Sequence, residues 1–195
     1  TAANFSKLEI AWRFKTESLG PRPEFNFEST PLMVNGRVFS TAGTRRAVVA
    51  LDAATGEQIW MHSEQEGKRG AAAPRQLSGR GLAYWTDGQD ARIVTNVGAN
   101  LVALNAKTGK RYADFGENGQ VDLTKGFERP ITGWRWSSGP IVVKDIIVVA
   151  GVPSPATDIL NERARAPKEM PPDDVRGYDV RTGKLVWTFH VVPRK

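Results

Sequence analysis

The chain has 195 residues, 40% of them hydrophobic and 25% charged, with a formal net charge of +6; that is enough for one domain with a sizeable core. It contains no cysteine, which excludes disulfides and thiolate metal sites and leaves the redox compartment unread. The longest apolar run, 146–152, is far short of the roughly 20 residues that span a bilayer. The basic residues are scattered, and the densest cluster, Arg163, Arg165 and Lys168, sits beside Glu162 and Glu169, so a solvated loop is expected and nucleic acid is not expected as a partner.

In chain order, residues 1–14 lack the basic start and apolar stretch of a secretion signal, so an exported form is expected to be numbered from after processing. Leu8-Glu9-Ile10-Ala11-Trp12-Arg13-Phe14 reads as a strand ending in aromatic residues. Residues 31–39 read as strand, Asn35-Gly36 hairpin, strand. A second strand pair falls at 81–85 and 91–96. A third, 140–149, repeats the first design with Lys144-Asp145 at its turn. Residues 153–172 form a long loop rich in Pro and charge, with room for a short helix at 158–166. A loop of that length is either functional or an insertion.

Three segments between these pairs repeat one another. Each has a short apolar strand, then Asp52, Asn105 or Asp179, then Thr55-Gly56, Thr108-Gly109 or Thr182-Gly183, then a second strand. The Asp or Asn can bond the turn backbone, and the Gly supplies the positive φ that a tight turn needs. Trp60 and Trp187 close the first and third copies and offer a broad packing surface with one N–H to satisfy. Ala113 stands at that place in the second copy, so its packing must differ. The copies are unequally spaced, as four-stranded units with variable loops would be.

The expected class is therefore all-β: a β-propeller of four-stranded antiparallel blades with tryptophan docking, of which about three blades and a closing strand are present. The expected divisions are a closing strand at 1–15 and blades at 25–62, 77–123 and 134–192, the last with the long loop 153–172. Three blades cannot close a ring of four to eight. The remaining blades, or self-association through open strand edges, are expected to complete it.

The ordered series of motifs resembles the pyrroloquinoline quinone (PQQ)-dependent dehydrogenases. Asp/Asn-x-x-Thr-Gly-x-x-x-Trp is similar to their docking motif. Phe27-Glu28-Ser29-Thr30-Pro31 resembles the approach to their first blade, Gly79-Arg80-Gly81-Leu82-Ala83-Tyr84 their Arg-Gly-x-x-Tyr signature, and Ser137-Ser138-Gly139-Pro140 the approach to a later blade. Residues 174–183 look most like the glucose dehydrogenase branch. The resemblance implies an N-terminal portion of an enzyme that oxidises a sugar or alcohol. PQQ would accept the hydride, a divalent cation, usually calcium, would polarise its carbonyl, and electrons would pass to an acceptor such as cytochrome c or ubiquinone. It implies a periplasmic location, or a periplasm-facing one on the inner membrane.

Carried over residue by residue, the resemblance makes Glu28, Arg80 and Ser138 the cofactor-binding candidates. Glu28 would lie near the cofactor rim. Arg80 would reach PQQ with a fork suited to carboxylates. Ser138 would either hydrogen-bond the cofactor or cap a hairpin. Trp134 and Trp136 read as core or rim packing, because the family's stacking Trp belongs to a later blade. His62 and His190 read as outer-strand decoration. Where the alcohol-oxidising branch has adjacent cysteines, this chain has Gln76-Leu77-Ser78-Gly79. Where that branch has a metal-ligating Glu, it has 150–155 without a carboxylate. The metal ligands are therefore unknown, and no catalytic residue is expected in this chain, which alone is expected to be inactive. There is no P-loop, Gly-x-Ser-x-Gly or His-Glu-x-x-His motif. The alternative reading is a non-catalytic propeller scaffold of the same repeat superfamily, like the lipoprotein of outer-membrane protein assembly.

Overall fold

The structure, a computed structural model, describes residues 2–20, 27–44, 46–67, 79–127, 131, 133–136, 138–154 and 171–193. The helix expected at 158–166, the basic cluster at 163–168, Gln76 to Ser78, Ser137 and most of the loop 153–172 lie outside them.

After a short 3-10 helix at Ala2–Lys7 come four strands, β1 (Leu32–Val34), β2 (Arg37–Ala42), β3 (Ala47–Asp52) and β4 (Gln58–His62), in one antiparallel meander. A second meander follows: β5 (Ala83–Thr86), β6 (Ala91–Val97), β7 (Asn100–Asn105) and β8 (Gln120–Asp122). Then β9 (Gly133–Arg135) pairs with β12 (Val152–Ser154) as a separate ribbon. The third meander is β10 (Ile141–Val143), β11 (Ile146–Val149), β13 (Val175–Asp179) and β14 (Leu185–Phe189). The two middle strands of the first two sheets are buried on both faces, whereas the outer β4 alternates around buried Trp60. A sheet covered on both sides is what blades stacked face to face require.

The register shows which residues meet the next blade. In the first sheet Phe39, Ala50 and Trp60 lie side by side across three strands. They pack with Leu82, Ile93, Val102 and Leu104 of the second sheet. On the other face of the second sheet, Ala83, Val94 and Ala103 are in line and meet Ile147, Val149 and Tyr178 of the third. The equivalent row in the third sheet is Val148, Gly177 and Trp187. Here Ile141, Val143, Trp187 and Phe189 are exposed.

The expected closing strand at 8–14 pairs with no strand among the described residues, and each of the three sheets has its four strands without it. It acts through side chains instead. Trp12, Phe14 and Leu19 cover Ala42, Val49 and Leu51 on the open face of the first sheet.

The three repeated turns are built alike. Asp52 Oδ1 accepts the N–H groups of Ala54 and Thr55, both at 2.9 Å, and the Thr55 hydroxyl at 3.2 Å. Asn105 and Asp179 do the same for their turns. Gly56, Gly109 and Gly183 have φ of 74°, 70° and 72°. At Gly56 the Trp12 ring lies so close that a Cβ would come within 2.6 Å of it, and Trp12 Nε1 donates to the Ala53 carbonyl at 3.0 Å. Trp60 covers Gly109 in the same way and donates to the Ala106 carbonyl at 3.1 Å. Each docking tryptophan thus serves the following turn and links two blades.

The third turn has no tryptophan above it, because Ala113 stands where the second copy would supply one. The loop after Ala113 fills in: Gly116 N–H donates to the Thr182 carbonyl at 2.8 Å, and Val121 covers Gly183. Arg92 supplies the rest. Its Nη1 donates to the carbonyls of Val180 and Arg181 at 3.2 and 2.7 Å, while its guanidinium lies 3.9 Å from the Tyr112 ring centroid. Arg92 faces Asn105 in the ladder as Arg37 faces Asp52, and Arg37 reaches the Ala106 carbonyl of its next turn at 3.1 Å. An arginine opening the second strand is thus a second inter-blade link.

Trp60 is 8% exposed and Trp187 is 38% exposed. Truncating Trp60 to Ala should cost about 3–5 kcal/mol, as for a buried aromatic. The same change at Trp187 should cost about 1 kcal/mol. Urea unfolding of the two variants checks this, and equal costs would contradict the docking account.

Candidate functional site

Each four-stranded sheet is a meander entered at its first strand, and the segments leading into β1, β5 and β10 meet at one end of the stack. The docking turns, three antiparallel strands further on, lie at the opposite end. The lead-in segments touch one another. A Cβ on Gly81 would lie 3.8 Å from the Thr30 nitrogen, and one on Gly139 would lie 3.1 Å from the Gly81 carbonyl carbon and 3.3 Å from the Arg80 oxygen. Gly79 and Gly81 have φ of 104° and 115°, which a side chain would resist. Glycine there permits the close approach.

This convergence brings two of the three candidates together. Arg80 Nη1 lies 2.8 Å from Glu28 Oε2, with both side chains about a quarter to a third exposed. Glu28 Oε2 is shielded from solvent, and the contact is an ion pair without an aligned hydrogen bond. Ser138 is exposed; it does not join the pair, although its neighbour Gly139 rests on the Arg80 backbone.

Next to the pair in the chain lies a group of buried hydroxyls that no sequence motif singles out. Ser29, Ser40 and Thr41 are all buried. Ser29 Oγ accepts the Thr41 N–H at 3.3 Å and lies 3.4 Å from Ser40 Oγ, while Ser40 Oγ donates to the Thr41 carbonyl at 3.1 Å. Thr41 Oγ1 has no hydrogen-bond partner among the described residues. It sits 3.1 Å from where a Gly79 Cβ would be.

Trp134 and Trp136 are packing residues. Trp134 lies over Gly151, 5.9 Å from Phe127 and 6.0 Å edge-on to Trp136, and Trp136 Nε1 donates to the Gly98 carbonyl. Arg176 is buried against this cluster, 4.9 Å from the Trp134 ring, and bonds the carbonyls of Leu123 and Lys125; burial lowers its pKa. The β9–β12 ribbon places the start of the long loop at the same end as the lead-in segments.

The histidines are engaged elsewhere. His190 Nδ1 lies 2.9 Å from Asp174 Oδ2, and His62 Nε2 lies 2.6 Å from Glu64 Oε1. Glu64 also pairs with Arg111 of the second blade, Arg111 Nε donating at 3.1 Å. The His62 hydrogen bond, then Arg111, hold the Glu64 carboxyl down to about 2 from its ordinary 4.5, against the opposing effect of burial. Among the described residues no group of three or more His, Asp or Glu is placed to hold a metal ion.

Stacked four-stranded meanders joined by tryptophan-on-glycine docking, with a polar lead-in segment for each, define a β-propeller of the quinoprotein type. The chain belongs to the PQQ family described as the glucose/ethanol/alcohol dehydrogenase β-propeller domain, which it matches over residues 1–195. It is 30% identical to the glycerol dehydrogenase large subunit of Gluconobacter thailandicus over 98% of its length, and 32% identical to the quinate/shikimate dehydrogenase (quinone) of Acinetobacter baylyi over 95%. It is 28% identical to quinoprotein glucose dehydrogenase A of Acinetobacter calcoaceticus, over 95% of its length. The chain spans about a quarter of these relatives, 26%, 24% and 25% respectively. Among solved structures, the quinohemoprotein alcohol dehydrogenase of Comamonas testosteroni shares the fold, with a TM-score of 0.68 at 24% identity over 100% of this chain and 24% of that one. The enzyme ADHIIG of Pseudomonas putida HK5 superposes with a TM-score of 0.61 at 27% identity, over 86% of this chain and 21% of that one.

The depressed Glu64 value carries a prediction. Its contribution to stability is fully present above the unfolded-state value and is lost as pH falls from about 4.5 towards 2. Melting temperature followed between pH 5 and 2 should fall less steeply in Glu64→Gln than in the parent chain, which starts higher at pH 5.

Proposed function

We propose that the chain is part of a PQQ-dependent dehydrogenase that oxidises a sugar or alcohol, and that Glu28 and Arg80 bind the cofactor. The observation that carries this reading is the Glu28–Arg80 ion pair where three lead-in segments converge. The residues fit such a group. Arg80 engages Glu28 through one terminal nitrogen, and a guanidinium fork has further donors for a carboxylate or carbonyl. The glycines at 79, 81 and 139 let the lead-in backbones close on one another around the pair, and the buried Thr41 hydroxyl has no hydrogen-bond partner among the described residues.

When bound, PQQ supplies the hydride acceptor, with a divalent cation, calcium by resemblance, polarising its carbonyl. The chain's own residues bind and orient. Glu28 fixes the direction of Arg80, Arg80 holds an anionic edge, and exposed Ser138 adds a hydroxyl from the third lead-in segment. The acid that would act as base and the metal ligands belong to blades beyond these three, which pack on the open face at Ile141, Val143, Trp187 and Phe189. Relatives named for glycerol, quinate or shikimate, and glucose favour a polyhydroxylated substrate. The electron acceptor is proposed to be cytochrome c or a quinone, and the location periplasmic.

Titration with PQQ, with and without calcium, followed by tryptophan quenching, tests the reading. Saturable binding is expected, and Arg80→Ala should weaken it by roughly 10- to 100-fold, the worth of a charge-assisted hydrogen bond. Absence of binding even after the complementary blades are supplied would overturn it.

A further inference from the structure

Thr41 joins the two halves of the Glu28–Arg80 site. Its backbone N–H is held by the hydroxyl of Ser29, next to Glu28, and its carbonyl by Ser40. Its side chain lies against Gly79, next to Arg80, with Oγ1 3.1 Å, Cβ 3.3 Å and Cγ2 3.4 Å from the Gly79 Cβ position. The residue is 3% exposed, and its hydroxyl has no hydrogen-bond partner among the described residues. A buried hydroxyl left in this state is destabilising. A valine of nearly the same shape would fill the same space without that penalty. The orphan group faces a glycine at φ 104°, whose peptide is unusually free to rotate.

We propose that Thr41 is a positioning residue of the cofactor site, an inference that rests on the reading of Glu28 and Arg80 given above. When an anionic oxygen of the ligand draws Arg80 into place, the Gly79–Arg80 peptide turns onto the Thr41 hydroxyl and the missing hydrogen bond forms. Thr41 thereby fixes the backbone that aims the guanidinium. The bond is present only in the occupied site, so it raises affinity while leaving the unoccupied protein less stable than it could be. This is the pattern expected when a local rule of burial is broken at a functional site.

The test compares Thr41→Val, Thr41→Ser and Arg80→Ala in the full chain, reading melting temperature without ligand, PQQ affinity by tryptophan quenching, and hydrogen exchange at the Gly79 and Arg80 amides. Thr41→Val should melt at or above the parent temperature, bind PQQ roughly 5- to 10-fold more weakly, and lose the ligand-induced protection of the two amides. Thr41→Ser should keep affinity and protection. If Thr41→Val binds PQQ like the parent while Arg80→Ala does not, the role of Thr41 is overturned and the site stands. If Thr41→Val loses stability and affinity together, the residue is structural and the proposal fails. If the parent does not bind PQQ even with the complementary blades present, the site reading fails and takes this inference with it.

Discussion

The arrangement of this protein depends on a ring laid over a residue that has no side chain. Trp12 on Gly56 and Trp60 on Gly109 approach so closely that a methyl group would not fit between ring and backbone. The Asp or Asn of the turn, by satisfying the backbone within it, presents that glycine in a fixed orientation. The indole N–H then bonds a carbonyl just before the glycine. Area contact and one directional hydrogen bond together set both the spacing and the angle between blades. Apolar contact alone would leave two flat sheets free to slide.

The junction between the second and third blades reaches the same result with different groups. Ala113 provides no ring, so the carbonyls of the third turn are taken by Arg92, and the glycine is covered by Val121 and Gly116. A buried guanidinium is costly unless its donors are used and its faces covered. Asp90 and two carbonyls take its donors, and the Tyr112 ring covers a face. The polar junction is thus as fully satisfied as the aromatic one.

Docking at one end of the blades leaves the other end for chemistry. The lead-in segments converge there because each meander is entered from that end, and glycines at 79, 81 and 139 let their backbones approach. The cores between blades are apolar apart from Arg92 and Arg176, and further polar groups collect at the convergence: the Glu28–Arg80 pair and the hydroxyls of Ser29, Ser40 and Thr41.

Much of the fold was legible in the sequence because its signals are local. The Asn35-Gly36 turn and the Asp/Asn-x-x-Thr-Gly motif act within a few residues, and each formed where the pattern placed it. Glu28 and Arg80 could be picked out, but only through the motifs around them. Their meeting, 52 positions apart in the chain, depends on how two sheets stack. The segment 8–14, expected to close a blade whose other strands are missing, instead meets the described residues through the side chains of Trp12 and Phe14. Arg92 as the substitute for a missing tryptophan, and the orphan hydroxyl of Thr41, were invisible because they too depend on how the sheets stack. Local chemistry determined the turns and strands; only the tertiary structure decided which distant groups satisfy one another and which is left unsatisfied, because burial and hydrogen bonding between blades are settled by packing and not by neighbours in sequence.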